Sequence, residues 1–270
     1  MKLINGRGFN WQTFYYAYQA VMDSPESSPR GQLVRDLRGA TLIFNLNDSL
    51  LTSFVDRKLN LTYCKREWLW YIGADPYDDS IQQYAQMWAK LKQPDGRYFS
   101  NYGHYIFGGR LSQFDYVVDQ LTTDRDSRRA SMVLLERDHL FKENVDTVCT
   151  YAINFAIVQG RFNMTVHMRS NDVVFGLTND AFAFWQLAEF VFVRLLRVHP
   201  DLIRGSYTHI ADSLHVYERH FDMLDRILEL PVMDTIEVPR PSYDEVMFLT
   251  HKHPRKDLDA PYIRWLTAVD

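Results

Sequence analysis

Residues 150–169 constrain this chain most. Thr150–Val158 and Arg161–Arg169 are both strand-like runs, and Gln159-Gly160 between them has the composition of a two-residue turn. Such a hairpin sets its own register, with paired positions summing to 319. Thr150 then faces Arg169 and Cys149 falls opposite Ser170, so a thiol, a guanidinium and a hydroxyl meet at the open end of one β-ribbon. That arrangement is a nucleophile beside an anion clamp.

The rest of the chain has to cover this ribbon, and it has the material to do so. With 270 residues, 46% hydrophobic and 14% aromatic, it can bury a sizeable core. No composition shift, Pro/Gly/Ser linker or internal repeat marks a boundary, so residues 1–270 are expected to form a single domain, with Asp23–Arg30 a loop inside it. A formal charge of -4 and a pI near 6.1 argue against a general binder of nucleic acid polymers or anionic membranes. Locally clustered arginines can still hold a small anion, and a nucleotide fits better than a polymer. Met1-Lys-Leu-Ile-Asn-Gly lacks the apolar core of a signal peptide. The longest apolar stretch, Ala181–Val198, is broken by Gln186, Glu189, Arg194 and Arg197 and reads as a core helix rather than a membrane span. Cys64 and Cys149 are expected to be free thiols in a reducing cytoplasm.

Periodicity predicts a mixed pattern. Asn10–Met22 is aromatic and helix-like, Ala40–Leu46 alternates as a strand, and Lys65–Ile72 reads as a buried helix carrying one acid, Glu67. Ser80–Leu91 places Ile81, Tyr84, Ala85 and Trp88 at helical spacing, and Ser112–Leu121 does the same with Phe114, Val117 and Leu121. Ser131–Glu136 and the hairpin supply further strands, and the surroundings of His215 and Tyr217 look helical. Helices packed on a mixed sheet around the Ala181–Val198 helix make an α+β fold.

Several short motifs occur in order along this framework. They are Pro29-Arg30-Gly31, Glu67 with Leu69-Trp70, Trp88, Asn101-Tyr102-Gly103, Asp126-Ser127-Arg128-Arg129, Cys149, Arg169-Ser170-x-Asp172 and His215-Val-Tyr217. Through them the chain resembles the thymidylate synthase family and, among its branches, the phage deoxycytidylate hydroxymethylases. The resemblance implies a thymidylate synthase-like fold in an obligate homodimer, dimerising through its sheets and sharing its active sites. It implies that Arg128 and Arg129 reach across to a nucleotide phosphate held by Arg30, Arg169 and Ser170. Planar guanidinium donors match phosphate oxygens bidentately. Read from the residues alone, Arg128 and Arg129 are a solvated charge pair.

The same resemblance implies a chemistry. A pyrimidine C5 is a poor nucleophile until a thiolate adds at C6, after which it can attack a one-carbon electrophile such as 5,10-methylenetetrahydrofolate. Cys149 is the candidate thiolate, its ionised form favoured by nearby arginines, although a lone cysteine is also ordinary packing. Glu67 lies among Trp68, Leu69 and Trp70, where a buried acid needs a partner or a raised pKa. The matching glutamate of the family moves protons around the pyrimidine; a structural ion pair is the alternative. Trp88 and Asp172 match positions lining the folate site, and His215 and Tyr217 match the pair that contacts the sugar hydroxyl. For Trp88, His215 and Tyr217 plain packing stays open. The chemistry needs no metal.

The departures carry information too. The position eight residues after Asp172, where the family has a base-reading Asn, holds Asp180. An amide donates and accepts, fitting uracil, whereas a carboxylate only accepts, fitting the cytosine amino group with a protonated N3. The implied substrate is therefore dCMP, with CMP or dUMP as alternatives. Asp180 also reads as the N-cap of the helix that follows, and a one-residue gap would put Asn179 in the reading position. The carbon ends as hydroxymethyl, by addition of water with release of tetrahydrofolate, or as methyl in a dCMP C5-methyltransferase. A catalytically silent nucleotide- or RNA-binding relative is the non-enzyme alternative. No His-x-Glu or Cys-x-x-Cys pairing of a zinc deaminase is present, and His251-x-His253 reads as a solvated tail. If the chain is phage-encoded, the cytoplasm is the host's.

Overall fold

A computed structural model of the chain describes residues 2–6, 8–110, 112–251 and 260–268. In chain order the elements are β1 (Lys2–Asn5), α1 (Asn10–Met22), β2 (Glu26–Ser27), β3 (Val34–Asn45), β4 (Thr52–Phe54), α2 (Leu61–Gly73), α3 (Tyr102–Phe107) and α4 (Gln113–Thr123). There follow β5 (Ser131–Val133), β6 (Thr150–Val158), β7 (Arg161–Met168), β8 (Asn171–Asp172), α5 (Gly176–Leu195) and β9 (Ile203–Tyr217). The last are α6 (Phe221–Glu229), β10 (Met233–Thr235), α7 (Tyr243–His251) and α8 (Pro261–Thr267). Parallel and antiparallel strands share one sheet packed against helices, which is the α+β architecture expected. The contacts divide the chain into two compact units.

The first unit comprises Met1–Leu59, Asn163–Trp185 and Arg204–Val238. Its centre is β3, which pairs parallel with β1 (Lys2↔Ala40) and antiparallel with β9 (Val34↔Tyr217 through Asn45↔Ser206). The two-residue β8 runs parallel to β9, with Asp172 level with His215. Helix α1 covers this sheet because Phe14, Ala17, Tyr18 and Val21 recur at helical spacing; Phe14 packs on Phe44 with ring centroids 5.0 Å apart. The buried face of β9 changes phase along the strand, from Tyr207, His209 and Ala211 to Leu214 and Val216. The change falls where the β3 ladder skips Gly39, whose φ of 66° only glycine adopts without strain. Strand alternation puts His215 and Tyr217 on the face opposite Leu214 and Val216. These two residues therefore stand on a strand, not in the helical surroundings that the sequence pattern indicated.

The second unit comprises Asn60–Phe162, Gln186–Ile203 and Pro239–Asp270. Helix α2 starts at Asn60, whose side chain accepts the Tyr63 N–H at 2.9 Å, a standard use of Asn as an N-cap. Its apolar face meets the second half of α5: Trp68 lies edge-on to Phe190 at 5.1 Å and donates its indole N–H to the Tyr262 hydroxyl at 2.9 Å. Ser112 caps α4, which buries Phe114, Val117 and Leu121 as the spacing predicts. Strand β5 pairs antiparallel with β6, and β6 ends in the expected turn, with Gln159 at φ 51° and Gly160 at φ 74°. Two consecutive positive φ values define the type I′ loop that sets Val158 against Arg161.

Three local expectations are corrected. Ser80–Leu91 is not one helix but two 3-10 turns, Ser80–Gln83 and Gln86–Lys90, separated by Ala85 in an extended conformation. At the start of the segment the Asp78 carboxylate accepts the Ser80 N–H at 2.8 Å, and Asp79 takes Lys92 and the Tyr98 hydroxyl. The segment Asp23–Arg30 is not all loop: Glu26–Ser27 pairs with Val34–Arg35, and Pro29–Gly31 makes a 3-10 turn. Helix α5 begins at Gly176 rather than Ala181, which places Asp180 in its second turn and removes the N-cap reading.

Candidate active site

In the first unit the candidate residues gather around β8 and the start of α5. Asn171 is almost fully buried, and its Nδ2 donates to Asp180 Oδ2 at 2.6 Å. Although Asp180 is only half-buried, desolvation pushes its carboxyl up to about 7; the Asn171 bond pulls against this and the Asp172 charge adds to it. The carboxyl therefore changes charge near neutral pH. Asp172 accepts the Val174 N–H on Oδ1 at 2.8 Å, leaving its second oxygen for a ligand donor. The buried Arg57 pins the same loop, donating Nε to the Val174 carbonyl at 2.6 Å with its guanidinium over the Phe175 ring. Level with Asp172, His215 holds a buried Nδ1 with no hydrogen-bond partner, its ring edge-on to Tyr217 at 5.2 Å. An orphaned ring nitrogen beside a phenol fits a hydroxyl-bearing ligand.

Three phosphate candidates lie in this unit. Arg169 and Ser170 are half-buried in the two-residue link from β7 to β8. Arg30 is exposed in a left-handed conformation (φ 53°) inside the Pro29–Gly31 turn, where the ring of Pro29 and the positive φ of Gly31 hold it outward.

In the second unit Cys149 is half-buried and unoxidised, immediately before β6. Arg128 and Arg129 are exposed in the link between α4 and β5, and buried Ser127 braces that link by accepting the Arg129 N–H at 3.3 Å. Among the described residues no carboxylate pairs with Arg30, Arg128 or Arg129, so their donors stand open to an external anion. Glu67 is 5% exposed on α2 and accepts the Tyr63 hydroxyl on Oε1 at 2.5 Å. Tyr63 in turn accepts the Trp88 indole N–H at 3.1 Å. Trp88 is buried in an aromatic group, 4.9 Å from Trp70 and 6.3 Å from Tyr98. The structure thus joins Glu67 and Trp88 through a residue that sequence reasoning did not single out. The i, i+4 spacing of Tyr63 and Glu67 was the available signal.

Two other partners also escaped the sequence reading: Asn171, which orients Asp180, and Arg57, which fixes the loop after Asp172. The motif Asn101-Tyr102-Gly103 turns out to serve packing. Asn101 is fully buried and donates to the Asp75 carbonyl at 3.0 Å, and Tyr102 stacks on Tyr71 at 5.5 Å. A Cβ on Gly103 would lie 1.7 Å from the Tyr71 carbonyl oxygen, so only glycine lets α3 approach α2 this closely. His251 bonds Thr250 and Asp115, while His253 lies outside the described residues. Among the described residues no group of three or more His, Cys, Asp or Glu is placed to hold a metal ion, and no helix is long and apolar enough to cross a membrane.

A carboxyl that titrates near neutrality in the first unit, and a thiol, an acid hydrogen-bonded to a phenol and open arginines in the second, are groups of the kinds used in group transfer on an anionic heterocycle. The thymidylate synthase family model matches residues 13–243, and the chain belongs to that family. It is accordingly an enzyme of a family of one-carbon transferases that use a nucleoside monophosphate and methylenetetrahydrofolate. Among known proteins it is 33% identical over 187 residues to the deoxycytidylate 5-hydroxymethyltransferase of Enterobacteria phage T4, covering 64% of this chain and 73% of that one. It is 27% identical over 164 residues to the thymidylate synthase of Bacillus atrophaeus, covering 58% of this chain and 70% of that one. The donor types fit a folate: in the first unit Asp172 keeps one carboxylate oxygen for an N–H donor, and in the second Trp88 is a buried aromatic ring.

Proposed function

We propose that the chain converts dCMP, 5,10-methylenetetrahydrofolate and water to 5-hydroxymethyl-dCMP and tetrahydrofolate. The observation that carries this reading is Asp180, a carboxylate held by Asn171 and poised near neutrality at the position where the family reads uracil with an amide. Ionised, it accepts from both the cytosine amino group and a protonated N3. Protonating N3 draws electrons from the ring and eases attack at C6 by the Cys149 thiolate. That attack makes C5 nucleophilic; the bound folate supplies the one-carbon unit, and Glu67 moves protons at the pyrimidine and the transferred carbon. Arg30, Arg169, Ser170 and the partner-borrowed Arg128 and Arg129 hold the phosphate; His215 and Tyr217 hold the sugar hydroxyl. Trp88 and Asp172 hold the folate. In this reading both units form one catalytic domain, spanning residues 1–270, of a cytoplasmic homodimer.

The likeness to the phage T4 protein supports cytosine and water; the likeness to bacterial thymidylate synthases favours the second reading, methylation. One experiment separates them. The purified protein is incubated with methylenetetrahydrofolate and dCMP, CMP or dUMP, the nucleotide products are weighed by mass spectrometry, and dihydrofolate is followed by absorbance. A product one CH2O heavier from dCMP, without dihydrofolate, is expected. A product one CH2 heavier with dihydrofolate, or turnover of dUMP alone, overturns the proposal.

A further inference from the structure

Tyr63 has no role in the chemistry described so far, yet it occupies the middle of a buried hydrogen-bond chain. Trp88 Nε1 donates to the Tyr63 hydroxyl at 3.1 Å, and that hydroxyl donates to Glu67 Oε1 at 2.5 Å. The direction is fixed when Glu67 is ionised. An indole N–H can only donate, so the phenol oxygen accepts from it and spends its single proton on the carboxyl. The phenol also has no freedom to swing away: Asn60 caps the turn that carries it, and all three side chains are buried.

Two consequences follow for Glu67. While the carboxyl is ionised its Oε1 accepts from the phenol, which leaves Oε2 as the oxygen that takes up an incoming proton. The carboxyl is also tied to Trp88, so displacement of the indole by a ligand moves the hydroxyl that orients the acid. Chains of this kind polarise one another, and their members act as a unit.

We infer that Tyr63 is a positioning residue of the one-carbon transfer, linking the Trp88 indole to the Glu67 carboxyl and confining proton exchange to Glu67 Oε2. This rests on the proposed roles of Glu67 and Trp88, and the test separates the link from those roles. The link is read without activity, from the Trp88 indole N–H resonance of ligand-free protein labelled with nitrogen-15 tryptophan and assigned with Trp88→Phe. Glu67→Gln should shift that resonance in the parent background and leave it unmoved in a Tyr63→Phe background. A resonance that ignores Glu67→Gln in the parent, or follows it equally without the hydroxyl, overturns the link.

The role is read kinetically. Tyr63→Phe should lower kcat roughly tenfold or more while leaving KM for the nucleotide within about twofold, the pattern of a group that aids the transition state. An unchanged kcat, or a loss confined to KM, overturns the positioning role even if the resonance link holds. Absence of turnover in the parent with every nucleotide overturns the role together with the proposed function, and the resonance experiment still decides the link. Should Tyr63→Phe fail to fold, 3-fluorotyrosine placed at position 63 keeps the ring and strengthens the donor. It should shift the Trp88 resonance and change kcat; no change in either overturns the inference.

Discussion

Asp180→Asn tests base reading and electrostatics in a single substitution. The amide is nearly isosteric and can still accept from Asn171, so the helix and its neighbours are kept. What changes is charge and donor pattern. Losing a charged hydrogen bond to cytosine and leaving a mispaired donor costs about 1.5–3 kcal/mol, or roughly one to two decades in kcat/KM for dCMP relative to dUMP. A second, independent magnitude comes from the free protein. Burial raises the Asp180 carboxyl from 3.8 to about 7, so the fold favours the protonated acid. A folded value above the unfolded one means that the unfolded chain releases this proton first. The associated stability is present below pH 4, is lost as pH rises toward 7, and stays lost above it. Full burial would make that loss roughly 4 kcal/mol; partial exposure reduces it to about 2–4 kcal/mol. Asp180→Asn removes the titration. The variant should therefore gain stability over the parent between pH 4 and 7 and hold a constant advantage at higher pH. Urea unfolding of ligand-free protein at pH 4.5 and 8, with kcat/KM for both nucleotides, measures both effects. A stability difference independent of pH refutes the electrostatic argument, and an unchanged dCMP/dUMP ratio removes Asp180 from base reading.

One further outcome tests the proposed shared site and another the packing of α3. If the proposed homodimer shares its sites, subunits carrying Cys149→Ser and subunits carrying Arg128→Ala with Arg129→Ala should each be inactive alone and regain activity on mixing, because a heterodimer would then restore one complete site; no recovery despite proven exchange rejects borrowed arginines. Gly103→Ala should destabilise the protein by about 3 kcal/mol, since its Cβ would collide with the backbone of Tyr71 and not with a yielding side chain, and an unshifted urea midpoint would contradict the packing described.

What the sequence determined by itself was whatever depends on neighbours along the chain. The 3.6-residue period of Asn10–Met22 matches α1 end to end, and Gln159-Gly160 forms the primed turn because the φ preferences of those residues are local. Family membership was legible too, since it rests on an ordered series of short motifs. Local pattern failed where a distant group intervened. His215 and Tyr217 stand on a strand because β9 pairs with β3, far off in sequence. Only the tertiary structure brought Tyr63 between Glu67 and Trp88, laid Asn171 against Asp180, and pressed Gly103 onto Tyr71. The charge state of Asp180 belongs to the same class. Desolvation is a property of everything packed around a group, and no window of sequence contains that sum.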